Sequence, residues 1–173
     1  FVPPITVGPV VLKDIMKVAS IPVDVHLMVS EPDSVLDSFI ELKPEYITVH
    51  LEACTHLDRT LRYIQSHGIK AGVAINPATP VSSLSEALNI ADMILIMTVN
   101  PGWGGQTFIE SCLDKVREVR ELSPVTIEVD GGVNVDNISA VSEAGADIIV
   151  AGSAVFNSQS YSGTIRTMKT RWR

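Results

Sequence analysis

The sequence predicts an α/β chain of the (β/α)8, or TIM, barrel type, lacking the first two strands and the first helix of a full barrel. Three observations predict it. Short apolar, β-branched runs recur along the chain at residues 22–29, 46–51, 70–75, 92–99, 125–130 and 147–151. The segments between them carry apolar residues at helical spacing, which is βαβα order and therefore a parallel sheet. Chemically capable residues stand at the carboxyl ends of several runs, where a barrel of this kind assembles its active site.

Taken in order, a helix near residues 7–18 opens the chain with no strand before it, so the chain enters midway through a βα unit. Asp33 and Ser34, after Pro32, are placed to open the next helix. Leu57, Leu61 and Ile64 mark the apolar stripe of a third, and Leu113, Val116 and Val119 that of another. Thr79-Pro80 offers proline at a first helical turn, and Asn134 or Asp136 can cap the helix after Asp130. Gly68 and Gly145 follow helical stretches and precede strands, as glycines of αβ loops do. That rhythm predicts six strands and about seven helices. The competing architecture, an open doubly wound sheet, usually carries a glycine-rich dinucleotide turn after its first strand, and this sequence has none. No composition shift divides the chain, so residues 1–173 are read as a single barrel domain, incomplete at its amino end.

A net charge of −7, with no basic run longer than Arg171-Trp172-Arg173, argues against nucleic acid or an anionic membrane as partner. An anionic ligand would have to be held by local dipoles. The longest apolar runs are too short to span a bilayer, and the start Phe1-Val-Pro-Pro-Ile-Thr-Val-Gly8 has neither the basic nor the apolar region of a signal peptide. That start reads as a loop leaving a strand. The two cysteines, Cys54 and Cys112, fall in different βα units without metal-type spacing, which suggests reduced thiols in a cytoplasmic setting.

The chemistry is expected at strand ends. His26, between Val25 and Leu27, points by alternation to the face opposite its neighbours. His50 ends the second run and reads as structural or supporting, whereas His56 and His67 read as helix-surface residues. Asp130 ends an apolar strand and is followed by two glycines that let the backbone bend past it. Glu128 shares its face, so one of these two acids is expected to be a buried structural group. The loop Asn100-Pro-Gly102-Trp103-Gly104-Gly105-Gln106 allows close backbone approach to a ligand. Gly131, Gly132, Gly152 and Ser153 lie in the loops after the last two strands, where many barrels hold phosphate on backbone amides. Met28 and Met97 are placed to wall the site from water.

His26-Leu-Met28, Asn76-Pro-Ala-Thr-Pro80, Met97-Thr-Val-Asn-Pro-Gly-Trp-Gly-Gly105, Glu128-Val-Asp-Gly-Gly132 and Ala151-Gly-Ser-Ala-Val-Phe156, in this order, resemble the ribulose-phosphate 3-epimerase family from Phe1 to about Phe156. The resemblance implies a (β/α)8 enzyme of the pentose phosphate pathway. Such an enzyme inverts C3 of D-ribulose 5-phosphate through an enediolate with one divalent metal ion, commonly zinc, iron, manganese or cobalt, and it generally assembles as a homo-oligomer. Carried over, it implies His26 and Asp130 as metal ligands and Asp130 as one of two acid/base groups. The other substrate-binding positions it implies are Met28, Met97, Gly102, Trp103, Gly104, Gly105, Gly131, Gly132, Gly152 and Ser153. Trp103 stands where the family more often has Phe. The family's substrate-contacting serine and its His-x-Asp pair, a further metal ligand and the second acid/base aspartate, precede the position equivalent to Phe1. The link from Glu121 to Val125 is also shorter than usual. Two alternatives accompany the reading: an epimerase of a hexulose phosphate such as allulose 6-phosphate, and a non-catalytic phosphate-binding fragment. A barrel decarboxylase fits less well, because no lysine ends a strand.

Overall fold

The computed structural model describes residues 1–2 and 7–172. Residues 3–6, within the expected opening loop, and residue 173 of the basic tail lie outside the described residues. All six expected strands form: β1 (Asp24–Leu27), β2 (Tyr46–His50), β3 (Lys70–Ile75), β4 (Met93–Met97), β5 (Thr126–Asp130) and β6 (Ile148–Val150). They pair in parallel in sequence order, β1-β2-β3-β4-β5-β6. Between and around them the described residues hold α1 (Pro9–Val18), α2 (Leu36–Ile40), α3 (Leu57–Ser66), α4 (Cys112–Leu122), α5 (Ile138–Ala144), α6 (Ser153–Phe156) and α7 (Tyr161–Arg171).

The sheet is curled. In a flat sheet β1 and β5 would lie about 19 Å apart, four strand spacings of roughly 4.8 Å. Yet His26 on β1 stands 3.6 Å from Asp130 on β5. Asp24 and Glu128, two residues earlier on the same strands, share a hydrogen bond. Side chains from the two strands can meet only if the sheet closes on itself as part of a barrel.

Alternation sorts the strand residues into two apolar sets. Val25, Leu27, Ile47, Val49, Val73, Ile75, Ile94, Ile96, Ile127 and Val129 join the core between sheet and helices. Ala74, Leu95, Met97 and Val99, with Met28 against them, form a separate interior cluster. Burial on both faces explains why β4 reads as the unbroken apolar run Met93-Ile-Leu-Ile-Met97. Each fully buried Ile or Leu contributes about 1.5–3 kcal/mol. The stripes of α3 and α4 do what their spacing foretells: Leu61, Ile64, Leu113, Val116 and Val119 are all buried in the outer core.

Two polar staples repeat at the amino ends of the strands. Gln65, late in α3, donates to the carbonyl of Ile90 and to Asp92, whose carboxylate also accepts the amide of Ala71 on β3. Two βα units later, Arg120 of α4 donates to the carbonyls of Gly145 and Val125 and pairs with Asp147, whose carboxylate accepts the amide of Ile127 on β5. An acid just before one strand thus ties the neighbouring strand to the helix that leads into it.

Three helix starts differ from expectation. After β1 the chain makes a 3-10 turn, Pro32–Ser34, before α2. Asp33 caps nothing there, because its carboxylate accepts from Arg59 and Thr60 on α3 at 2.9 and 2.7 Å. The segment opened by Pro80 forms two 3-10 turns, Val81–Leu84 and Ala87–Asn89. Its buried residues Val81, Leu84 and Ala87 recur every third position, the period of that helix, and its serines favour local backbone bonds over an α-helix. Before α5 the cap position belongs to Asn137; Asn134 instead accepts the amides of Asp136 and Asn137, and Asp136 itself faces solvent. Gly145 does close α5, at φ 111°.

Candidate active site

The carboxyl ends of β1, β2, β4 and β5 bring the expected residues together. The side chains of His26, His50 and Glu52 form a hydrogen-bonded line, with Asp130 facing its outer end. His26 Nδ1 faces Asp130 Oδ2 at 3.6 Å, His26 Nε2 meets His50 Nε2 at 2.8 Å, and His50 Nδ1 meets Glu52 Oε2 at 3.3 Å. Glu52 Oε1 in turn accepts the amide of Asn76 at 2.8 Å and the hydroxyl of Thr79. Lys115 of α4 secures that last turn by donating to the carbonyls of Asn76 and Thr79.

Burial grades this line. His26 and Asp130 keep side-chain exposures of 13% and 22%, whereas His50 is fully enclosed. Enclosure lowers the pKa of His50, more than its bond to Glu52 raises it, so the ring is neutral near pH 7. For Glu52 burial acts upward, but the bonds from His50, Asn76 and Thr79 together hold it down to about 2, and it is ionised. Beneath the line lies a second acidic pair. Burial first, and then the charges of Asp24 and Asp130, push Glu128 up to about 9, so it is a neutral carboxylic acid bonded to Asp24. Asp24 is raised as well, chiefly by burial. Of the two acids on β5, Glu128 is therefore the buried structural one and Asp130 the one open to a ligand.

A cavity of about 250 Å³ opens beside Asp130. Met28, Met97, Gly102, Trp103, Gly104, Gly105, Gly131, Gly132, Gly152 and Ser153 all line it. Among the expected substrate-binding residues only His26 lies outside its wall, and His26 lines an adjoining cavity of about 460 Å³ together with Met28, Gly102 and Asp130. Met97 is buried, while Trp103 is 65% exposed at the cavity mouth. Gln106 closes the glycine loop by donating to the carbonyls of Asn100 and Trp103 at 2.6 and 2.8 Å.

The loop after β5 requires its glycines. A Cβ on Gly131, at φ 121°, would stand 2.4 Å from Val99, and one on Gly132, at φ 68°, would stand 2.7 Å from the backbone nitrogen of Phe108. Thr98 ties this loop to β4, its hydroxyl donating to the carbonyls of Asp130 and Gly131 at 3.0 and 2.5 Å. Sequence reasoning passed over Asp24, Glu52 and Thr98. Asp24 was open to detection, since it sits two residues from His26 on one strand, the spacing that also sets Glu128 beside Asp130. His56 and His67 lie exposed on and beside α3, away from the site.

Comparison with known proteins fits this geometry. Residues 1–156 match the model of the ribulose-phosphate 3 epimerase family. The chain is 46% identical to the ribulose-phosphate 3-epimerase of Bacillus subtilis strain 168, over 90% of this chain and 75% of that protein. It is 46% identical to that of Escherichia coli K12, over 98% and 78%, and 47% identical to that of Serratia marcescens, over 93% and 80%. Among solved structures, a 3-hexulose-6-phosphate synthase superposes with a TM-score of 0.75 at 19% identity, covering 96% of this chain and 81% of its own. KGPDC from Streptococcus mutans superposes with 0.77 at 14%, covering 95% and 78%. At such identities these two speak for the barrel fold alone. The sequence relatives speak for more: matched along most of its length to a family model and to three enzymes of one name, the chain belongs to the ribulose-phosphate 3-epimerase family and is an epimerase of the isomerase class.

Proposed function

We propose that this chain interconverts D-ribulose 5-phosphate and D-xylulose 5-phosphate by inverting C3, with one divalent metal ion, as a step of the pentose phosphate pathway. The observation that carries the reading is the placement of Asp130 and His26, which face each other 3.6 Å apart beside a cavity edged by glycine loops. That separation lies within the roughly 4 Å that two metal–ligand bonds of about 2.0–2.2 Å can bridge, and an imidazole with a carboxylate suits zinc, iron, manganese or cobalt. Among the described residues no group of three or more metal-binding side chains converges, so the pair supplies part of a coordination shell. A bound divalent ion supplies Lewis-acid stabilisation of the charge that develops on substrate oxygens when a proton leaves carbon beside a ketone.

The chain's own residues do the rest. Asp130 takes or returns the C3 proton on one face of the substrate, and among the described residues it is the one carboxylate in the walls of the two adjoining cavities. Met28 and Met97 present apolar thioethers to the reacting carbons and exclude water. The backbone amides of Gly131, Gly132, Gly152 and Ser153, with the loop from Gly102 to Gly105, hold the phosphate, a task that suits an acidic protein without a cationic patch. Trp103 closes over the sugar.

One apolar cluster running from Leu12 to Met168 supports residues 1–173 as a single domain. Unpaired Cys54 and Cys112 support a reducing, cytoplasmic setting. Exposed Val10, Val11, Ile15 and Val18 on α1 support self-association into a homo-oligomer. Among the described residues no helix is long and apolar enough to cross a membrane.

The test is incubation with D-ribulose 5-phosphate in deuterated water, following xylulose 5-phosphate formation and deuterium entry at C3 by NMR. Both are expected, sensitive to chelator, and at least ~100-fold slower in Asp130→Asn, the size of effect typical of losing a proton-transfer group. A folded chain giving neither signal would overturn the proposal.

A further inference from the structure

We propose that His50 and Glu52 are positioning residues that fix the ring proton of His26 on Nε2 and so leave the Nδ1 lone pair turned toward Asp130. Hydrogen counting fixes this order. Two ring nitrogens 2.8 Å apart, His26 Nε2 and His50 Nε2, hold one hydrogen between them. The rings lie edge to edge, with planes 22° apart and centroids at 4.9 Å, as a hydrogen bond between ring edges requires. The other nitrogen of His50 faces Glu52, and an ionised carboxylate only accepts. His50 Nδ1 therefore carries its hydrogen, and with the ring wholly enclosed its Nε2 is left as the acceptor of the shared bond. The hydrogen of the shared bond then belongs to His26 Nε2, and His26 Nδ1, 3.6 Å from Asp130 Oδ2, is bare.

Glu52 is fit to impose this order because it is itself fixed. The amide of Asn76 and the hydroxyl of Thr79 occupy its second oxygen, and Lys115 ties down the carbonyls of those same two residues. The loop after β3 thus governs, through two rings, the protonation pattern of a residue on β1. A histidine that binds a metal through one nitrogen commonly donates its other N–H to an oriented partner. Here that partner is a second histidine, oriented in turn by Glu52. The purpose of the arrangement rests on the metal-binding reading given above, but the placement of the proton does not.

The test uses the metal-free 173-residue chain labelled with nitrogen-15, and long-range proton–nitrogen correlation spectra near pH 7.5. The two histidines are expected as opposite tautomers, His26 protonated on Nε2 and His50 on Nδ1. In Glu52→Ala, His50 loses its acceptor and His26 is expected as a mixture of tautomers. A hydrogen on His26 Nδ1 in the unaltered chain would overturn the inference, whether or not the variant folds, as would an unchanged His26 in folded Glu52→Ala. Titration with Zn2+ separates the two proposals. A shift centred on His26 Nδ1, with affinity falling about 10- to 100-fold in Glu52→Ala, supports both. No shift on an Nε2-protonated His26 would sink the metal reading and leave the proton placement standing.

Discussion

Glu128→Gln isolates the cost of keeping an acid inside the barrel. Glu128 is only 2% exposed, and burial, with the negative charges of Asp24 and Asp130, pushes it up to about 9 from an ordinary 4.5. In the unfolded chain the carboxyl releases its proton near 4.5, whereas the folded chain retains it until about 9. Between these values the folded state binds more protons than the unfolded one, so stability falls as pH rises, by up to ~1.4 kcal/mol per pH unit. From pH 5.5 to 7.5 the loss approaches ~3 kcal/mol, equivalent to several °C of melting temperature for a chain of this size. Glutamine never ionises, fills nearly the same volume and can still donate to Asp24. Urea unfolding of both proteins at pH 5.5, 6.5 and 7.5 is therefore expected to show the variant gaining on the parent at each step. Parallel stability profiles would refute the reasoning, because they would mean that Glu128 is ionised in the folded chain.

Glu52 titrates with the opposite sign. Its folded value of about 2 lies below the ordinary 4.5, so its contribution is complete above pH 4.5 and is lost as pH falls toward 2; the stability gap between the parent and Glu52→Gln should narrow from pH 5 to pH 3 in denaturant titrations. Gly132→Ala should destabilise the fold by ~2–4 kcal/mol in chemical denaturation, combining a left-handed backbone at φ 68° with a Cβ 2.7 Å from Phe108 nitrogen. Trp103→Ala, at a 65% exposed position, should change stability by less than ~0.5 kcal/mol. In steady-state kinetics the same variant should raise KM for ribulose 5-phosphate.

Legibility in the sequence stopped where neighbours are decided by curvature. Alternation assigns His26, Asp130, Asp24 and Glu128 to one face of the sheet, which is why the cavity residues were readable as a group. It says nothing about β1 meeting β5, since their contact exists only once the sheet has closed far enough to bring distant strands together. The Asp24–Glu128 hydrogen bond and the facing of His26 and Asp130 were invisible for that reason. Glu52 escaped notice because it lies past the strand end, in the 3-10 turn Leu51–Ala53, where no periodicity marks a direction. The turns after β3 were misread as an α-helix because an apolar residue at every third position satisfies part of an α-helical template too. Asp33 was misread as a cap because its true partners, Arg59 and Thr60, come from the following helix.

The paired staples at the amino ends of the strands, Gln65 with Asp92 and Arg120 with Asp147, divide labour along the barrel axis. Each anchors a helix to its sheet without using any atom of the opposite rim. The rim that bears His26, Asp130 and the glycine loops is thereby relieved of part of the work of holding the scaffold together, and it can house a neutral acid, positive φ angles and a half-open tryptophan. Different side chains perform the same task in the two units, an amide in one and a guanidinium in the other. The two units thus share a wiring pattern without sharing a sequence. Loop replacements on the carboxyl-end rim should consequently transfer between such units as long as the staple beneath each is left untouched.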